Sequence, residues 1–173
     1  SGPTAYMFLS LPSGLGNLRG AYTINNNNNE QVLEWPGNRP PVGQETHIVW
    51  TTDGAANRGI LYVDGVPVAT NAAMSLTPAS LGPTPNDWLG RSQFAGDPYF
   101  NGSIDELRIY NTAISPSQVQ LNYQNGPNGL QLPPDPRQPV ASPSDTVYAG
   151  TTVILTASVG GLPPYRYQWE SNS

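Results

Sequence analysis

Two adjacent acids, Asp105 and Glu106, have side chains that could support acid/base chemistry, and they lie in GSIDELRIY, residues 102–110. The alternating pattern of this segment predicts a β-strand, in which successive side chains point to opposite faces of the sheet. A glycosidase needs two carboxyl groups directed at one substrate, roughly 5 to 10 Å apart. Because Asp105 and Glu106 would face opposite sides, the sequence indicates no catalytic pair here.

Asp105 is of interest for a different reason, because the strand pattern turns it toward the apolar face with Leu107 and Ile109. A buried carboxylate needs hydrogen-bond donors or a metal ion. Asp105 could therefore be a structural calcium ligand together with loop carbonyl groups. The interpretation we favour is a carboxylate that accepts hydrogen bonds from backbone amides of a neighbouring loop. On the opposite face, Glu106 and Arg108 are predicted to form an ordinary surface ion pair.

Other catalytic chemistry finds little support in the composition. The 173 residues include no cysteine and a single histidine, His47. This excludes thiol catalysis, cysteine-bound zinc and disulfide bonds, and it leaves few routes to a histidine-dependent triad or a multi-histidine metal site. We expect His47, near a strand start, to be structural. The acids are scattered along the chain, so we expect a protein that is not an enzyme.

Charge and hydropathy exclude two further classes of partner. Only 11% of the residues are charged, the net charge is −5, and all seven basic residues apart from the histidine are arginine. The basic patch of a nucleic-acid binder is missing, and anionic membranes are not expected partners. No apolar run approaches the roughly 20 residues of a membrane-spanning helix. The abundance of glycine (18) and proline (19) is typical of a turn-rich β protein.

A group of aromatic and polar residues surrounds a long predicted loop, FAGDPYFNG at 94–102, and suggests carbohydrate binding. Sugar rings stack on aromatic faces, and amides, carboxylates or arginine hydrogen-bond to their hydroxyl groups. The candidate residues are Trp88, Arg91, Asp97, Tyr99 and Phe100, with Trp35 as a further candidate beside an asparagine run. The competing interpretation is that Trp88 and Phe100 are core aromatics and that Arg91 forms a surface ion pair.

The asparagine run NNNNN, residues 25–29, has two interpretations. Asparagine tolerates left-handed backbone and hydrogen-bonds to its own main chain, which favours the tip of a β-hairpin. Its side-chain amides could also serve a polar ligand loop. We favour the hairpin tip.

Strands separated by turns must position these residues. Alternation and turn residues predict strands at 6–11, 17–24 and 31–35, then a three-stranded meander over 47–70, and further strands at 86–93 and 103–111. In the meander, Ile48 and Trp50 share one face, and Asp64–Gly65 forms a two-residue turn.

A short helix is predicted at 114–126, ISPSQVQLNYQNG. Ser115 is the expected N-cap, Pro116 the first helical residue and Gln118 the partner in a capping box. Ile114 can pack on Val119, and Gly126 is expected to end the helix.

The stretch from Tyr6 to Tyr123 resembles the laminin-G-like group of concanavalin A-like jelly rolls. The segments that carry the resemblance are YMFLSLPSGLGNLRGAYTI, THIVWTTDG, GILYVDGVPVATN, SLTPASLGPTPNDWLGRSQF and DPYFNGSIDELRIYNTAISPSQVQLNY. The resemblance implies an all-β antiparallel jelly-roll sandwich with one short C-terminal helix. Glu45 stands where the family commonly has tryptophan, and Trp50 is expected to fill that core volume. The first strands of the family are expected before Ser1.

The remainder of the chain resembles the opening of a bacterial immunoglobulin-like domain, with strands TTVILTASV (151–159) and YRYQW (165–169) and Trp169 as its buried tryptophan. The predicted organisation is a jelly roll at 1–125 without its N-terminal strands, a stiff proline-rich linker at 126–139, and a partial immunoglobulin-like segment at 140–173.

These features predict a non-catalytic binding module of a large secreted or cell-surface protein, with a polysaccharide or glycan as its partner. The alternative is a structural or adhesive repeat of an extracellular stalk or filament, with neighbouring domains or identical subunits as partners and strands supplied by a neighbouring chain. We expect no cofactor other than the calcium ion considered for Asp105.

Overall fold

The computed structural model describes residues 4–11, 16–127, 129, 140–142, 152 and 154–156. The chain divides into two compact units, residues 1–128 and 129–173, which are considered separately below.

The first sheet contains three antiparallel strands in chain order: β1 (Tyr6–Ser10), β2 (Leu18–Thr23) and β3 (Gln31–Trp35). The asparagine run forms the connection from β2 to β3. Asn26 and Asn29 adopt left-handed backbone with φ of 52° and 56°, which asparagine tolerates better than most residues. Thr23 Oγ1 accepts a hydrogen bond from the Asn25 amide at 3.0 Å and donates to the Asn28 carbonyl at 3.2 Å. The predicted strands and the hairpin tip are confirmed.

The second sheet is the meander predicted from the sequence, with β4 (Ile48–Asp53), β5 (Arg58–Val63) and β6 (Val66–Asn71) in antiparallel order. Asp64 and Gly65, with φ of 49° and 78°, make the turn between β5 and β6. Positive φ at both turn residues matches the right-handed twist of paired strands. The Asp64 carboxylate also accepts a hydrogen bond from the His47 amide at 2.9 Å, which fixes the start of β4.

The hydrophobic core joins the facing sides of the two sheets. Its buried members are Leu18, Tyr22, Leu33, Leu61, Val63 and Met74. Trp50 packs against this cluster, with its ring centroid 4.5 Å from that of Tyr22. Its ring lies so close to Gly20 that a Cβ there would be 3.0 Å from the indole. The expectation that Trp50 points inward is therefore confirmed.

The one α-helix among the described residues of the first unit, α1 (Pro116–Asn125), packs on the other face of the second sheet. Ile114 and Val119 pack with Tyr62, Val49 and Ile60, whose side chains alternate with those of the core. Ser115 and Gln118 form the predicted capping box, and Gly126 follows the last helical residue.

The strands predicted at 86–93 and 103–111 are wrong. Between β6 and α1 the structure describes no strand, and its regular element there is a short 3₁₀ helix, Pro78–Leu81. A strand requires a neighbour that completes its backbone hydrogen bonds, and no described strand pairs with either segment. Ile104, Leu107 and Ile109 are consequently exposed, at 51%, 57% and 88%.

In the second unit, β7 (Val140–Ser142) pairs antiparallel with β8 (Ile154–Thr156). Several predicted features lie outside the described residues: most of the linker, the segment YRYQW and Trp169. The same holds in the first unit for residues 12–15 of the predicted turn PSGLG. The described helices include none with the length and apolar character needed to cross a membrane.

Candidate functional site

The residues predicted to bind carbohydrate lie in one irregular segment, residues 86–100, which we call the aromatic loop. Local hydrogen bonds fold it back on itself. The Phe100 amide donates to the Gly90 carbonyl at 2.8 Å, and the Asp97 amide donates to the Phe94 carbonyl at 3.1 Å. Gln93 Nε2 donates to the Asn86 carbonyl at 2.6 Å. These bonds bring Phe100 back to Gly90 and Gln93 back to Asn86, so the loop is closed on itself.

Phe94 connects the aromatic loop to the first sheet. Its ring meets the Tyr6 ring edge to face, with centroids 5.7 Å apart. Tyr6 is buried and donates a hydrogen bond to the Glu30 carboxylate at 2.5 Å, and Glu30 is also paired with Arg19. Burial, with the nearby Glu30 carboxylate, raises the pKa of Tyr6 to about 12. Tyr6 therefore stays a neutral hydrogen-bond donor and gives Phe94 a fixed surface to pack on.

Three of the predicted site residues form a stack. The Arg91 guanidinium carbon lies 4.0 Å from the centroid of the Trp88 ring and 5.6 Å from that of Tyr99. A cation over an aromatic face at such distances is attracted by the negative charge of the ring face. Trp88 is 43% exposed and Tyr99 is 72% exposed. The stack is thus an exposed aromatic surface with a positive charge against it.

The other two predicted residues take different positions. Phe100 is partly exposed and packs over Gly102, where an added Cβ would be 2.6 Å from the ring. Asp97 is exposed, and its side chain forms no hydrogen bond or ion pair with the described residues. Neither Trp88 nor Phe100 belongs to the two described core clusters, and Arg91 contacts rings instead of an acid. Trp35 packs against the core and is not part of the stack.

The expectation that Asp105 is buried is wrong. Asp105 is exposed, because the segment that carries it joins no described sheet that would cover it. The described residues contain no group of three or more acidic or histidine side chains that could hold a metal ion. Glu106 and Arg108 form the predicted ion pair, with two hydrogen bonds of 2.6 and 2.8 Å. The hydrogen bonds from Arg108 lower the pKa of Glu106.

One polar cleft was not predicted from the sequence. It lies between the tip of the β4–β5 hairpin and the chain before α1, and its lining residues are Thr52, Asp53, Gly54, Asn111, Thr112 and Ala113. The Asp53 carboxylate accepts hydrogen bonds from the Ala55 and Ala56 amides at 3.0 Å, so it serves the hairpin turn. No sequence signal marks this cleft, because it brings together two segments that are distant in the chain.

His47 lies directly before β4 and near α1. Its ring stacks near Tyr123 with centroids 6.0 Å apart, and its buried Nδ1 has no hydrogen-bond partner among the described residues. Burial lowers the pKa of His47, which favours the neutral imidazole.

Comparison with known proteins gives one family match. A laminin G-type family model, described as the concanavalin A-like lectin/glucanases superfamily, matches residues 1–120. The match does not extend to residues 140–173, so the immunoglobulin-like segment stays a prediction. A search of curated proteins found no match.

One solved structure is also similar to this chain. It is an S-layer domain-containing protein, residues 221–444, from Clostridium thermocellum, with 25% sequence identity and a TM-score of 0.39. The likeness covers 67% of this chain and 60% of that one, so the chain spans less than two thirds of the solved structure. At a TM-score of 0.39 the similarity does not bear on the function of this chain.

Proposed function

This chain belongs to the concanavalin A-like lectin/glucanases superfamily, and from that premise we propose that its jelly-roll unit is a non-catalytic carbohydrate-binding module of a secreted or cell-surface protein. The family supports a β-sandwich module, and the aromatic loop supplies the surface that would bind. Loops on a rigid β scaffold commonly carry binding residues, because the sheets fix the ends of the loop while its tip can vary.

The exposed stack of Trp88, Arg91 and Tyr99 is the observation that carries this proposal. When a sugar ring covers an aromatic ring that is largely in contact with water, apolar surface is removed from water, and this favours binding. Arg91 already occupies part of the aromatic surface of both rings, but Tyr99 keeps 72% of its surface exposed. Tyr99 is therefore the proposed stacking platform, and Trp88 supports Arg91 and contributes a second contact.

A glycan array and matched variants test this function. We expect the intact chain to bind a subset of glycans, and we expect Y99A and W88A each to reduce binding severalfold, since an aromatic contact is worth about 0.5 to 1.5 kcal/mol beyond its buried area. Y99F should retain most of the binding because it keeps the ring. Tyr123, which is 42% exposed on α1, provides the control variant Y123A, and that variant should bind as the wild type does. An intact, folded chain that binds no glycan would refute the proposal.

The proposal includes binding without cleavage. A glycosidase needs one carboxyl group as acid and a second as base or nucleophile, both facing the substrate. The aromatic loop contains two acids: the Asp87 carboxylate accepts a hydrogen bond from Thr84 at 3.1 Å, whereas the exposed Asp97 side chain forms no hydrogen bond or ion pair with the described residues, so the two acids are not paired. Incubation of the wild-type protein with a polysaccharide that it binds should therefore release no new reducing ends. A steady release of reducing ends would contradict this part of the proposal.

A structural or adhesive role is the second candidate, and the segment 103–110 favours it. Ile104, Leu107 and Ile109 are exposed, and the backbone of residues 103–107 forms no hydrogen bond within the described chain. An extended backbone with free donors and acceptors is a template for a strand from a neighbouring chain. Size-exclusion chromatography and electron microscopy test it: long polymers that L107K and I109K dissociate support this role, and a wild-type monomer at high concentration contradicts it.

A further inference from the structure

The charge of Arg91 allows a more specific inference about the ligand of the aromatic loop. Among the described residues the ion pairs are Arg19 with Glu30 and Arg108 with Glu106. Arg91 is exposed and has neither an acidic partner nor a hydrogen bond in that part of the chain. Asp87 and Asp97, the two acids of the same loop, do not pair with it. The stack therefore presents a positive charge that no neighbouring acid neutralises.

The hydrogen-bonding capacity of Arg91 is also unused. A guanidinium group has five N–H donors in a planar fork, whose geometry matches the two oxygens of a carboxylate. The contacts with Trp88 and Tyr99 engage the π systems of the two rings and use none of these donors. A ligand that lies on Tyr99 would find the donors of Arg91 beside it.

The two rings also prepare Arg91 for binding. A free arginine side chain loses rotamer entropy when a ligand fixes it, and this loss weakens binding. Because Arg91 already contacts the rings of Trp88 and Tyr99, part of that loss has occurred before the ligand arrives. Such a preorganised cation is suited to recognise an anion at a defined position relative to an aromatic platform.

The rest of the molecule opposes indiscriminate binding of anions. Its net charge is −5, so a polyanion is repelled at long range and gains only where a local contact compensates. We propose that the ligand of the aromatic loop is an acidic glycan, whose sugar ring stacks on Tyr99 while its carboxylate forms paired hydrogen bonds with Arg91. This inference rests on the proposed function, and it adds the class of sugar, a uronic acid.

Calorimetry with matched oligosaccharides tests this inference. The probes are an oligogalacturonate, the same oligosaccharide after reduction of its carboxyl groups to alcohols, and a sulfated oligosaccharide of equal length. We expect wild type to bind the oligogalacturonate about tenfold more tightly than the reduced form, as a charge-assisted hydrogen bond permits. R91Q should abolish this preference, whereas R91K should retain part of it because lysine keeps the charge and loses the fork. R39Q, at an exposed arginine outside the loop, should bind as wild type does.

The outcomes separate this inference from the proposed function. Equal binding of the acidic and the reduced oligosaccharide, unchanged in R91Q, would overturn the acidic ligand and leave a carbohydrate-binding module. Tighter binding of the sulfated probe through Arg91 would overturn the assignment to a carboxylate. If no oligosaccharide of any class binds to folded protein, the proposed function itself fails. Circular dichroism of each variant establishes that the protein is folded.

Discussion

Gly59 provides a sharp test of the packed sandwich on which the aromatic loop rests. This residue lies in β5, is buried, and has no side chain where the two sheets meet. A Cβ at this position would be 2.2 Å from Met74 Sδ and 3.1 Å from Leu33 Cδ1. Met74 and Leu33 are themselves fully buried, at 0% and 1% exposure. The substitution G59A should therefore force a core side chain to move.

The expected magnitude follows from two opposing effects. Overpacking a core by one methyl group costs about 1 to 3 kcal/mol. Replacing glycine by alanine lowers the entropy of the unfolded chain, which stabilises the folded protein by about 0.4 to 1 kcal/mol. We expect G59A to lower the free energy of unfolding by roughly 1 to 2 kcal/mol, which shifts the urea midpoint by about 0.5 to 1 M at a slope near 2 kcal/mol/M.

Met74 makes the test specific. Removing its side chain in M74A should cost about 2 to 5 kcal/mol. In the double variant, the methyl group introduced by G59A fills space that the Met74 side chain has vacated, so the combined cost should be smaller than the sum by at least about 0.5 kcal/mol. Urea unfolding followed by tryptophan fluorescence measures all three variants. G96A is the matched control, since a Cβ at Gly96 meets nothing within 4 Å. A G59A variant as stable as wild type, or strictly additive costs, would refute the packing described for this core.

Two further predictions concern α1 and the start of β4. Burial holds the pKa of His47 below its ordinary value of 6.5; the charge of Arg108 lowers it further, and the charge of Asp64 opposes the shift. The unfolded chain therefore takes up a proton on this histidine at a higher pH than the folded chain does. Stability should fall as the pH drops through 6.5, and H47Q should weaken that dependence between about pH 7.5 and 5.5; an identical pH profile in H47Q would contradict the assignment. S115A should lower the free energy of unfolding by about 1 kcal/mol, because Ser115 Oγ accepts a hydrogen bond from the Gln118 amide at 3.2 Å and alanine cannot. S115D should restore most of this stability. An S115A variant with the urea midpoint of wild type would contradict the proposed cap.

The elements that the sequence predicts correctly are specified by local signals. Residues two apart fix the faces of β1 to β6, and the Asp64–Gly65 turn sets the register of the adjacent β5–β6 pairs, up to an irregularity between Leu61 and Tyr62 that shifts it. The helix is equally local, because Ser115 and Gln118 satisfy each other's backbone donors within one turn. Such signals operate over a few residues, so alternation and turn chemistry suffice to locate them.

The two incorrect strands fail because alternation describes a side-chain pattern and not a hydrogen-bonded pair. The segment 103–110 alternates in its sequence as a strand would, yet no described strand pairs with it. The burial expected for Asp105 depends on that strand joining a sheet, so the second error follows from the first. Whether a segment pairs depends on residues far away in the chain, and the segment itself contains no information about them.

The aromatic loop could be predicted from the sequence in its residue types but not in its geometry. The residue types that could bind a sugar are visible in the sequence, but the stacking of Arg91 on Trp88 and Tyr99 depends on how the loop closes. Gly90 adopts a φ of 75°, which a residue with a side chain rarely does, and its carbonyl then accepts the Phe100 amide. This closure brings Tyr99 back toward Arg91. The geometry of the candidate site therefore depends on one backbone turn at Gly90, so a substitution there should weaken ligand binding even though Gly90 itself presents no side chain to a ligand.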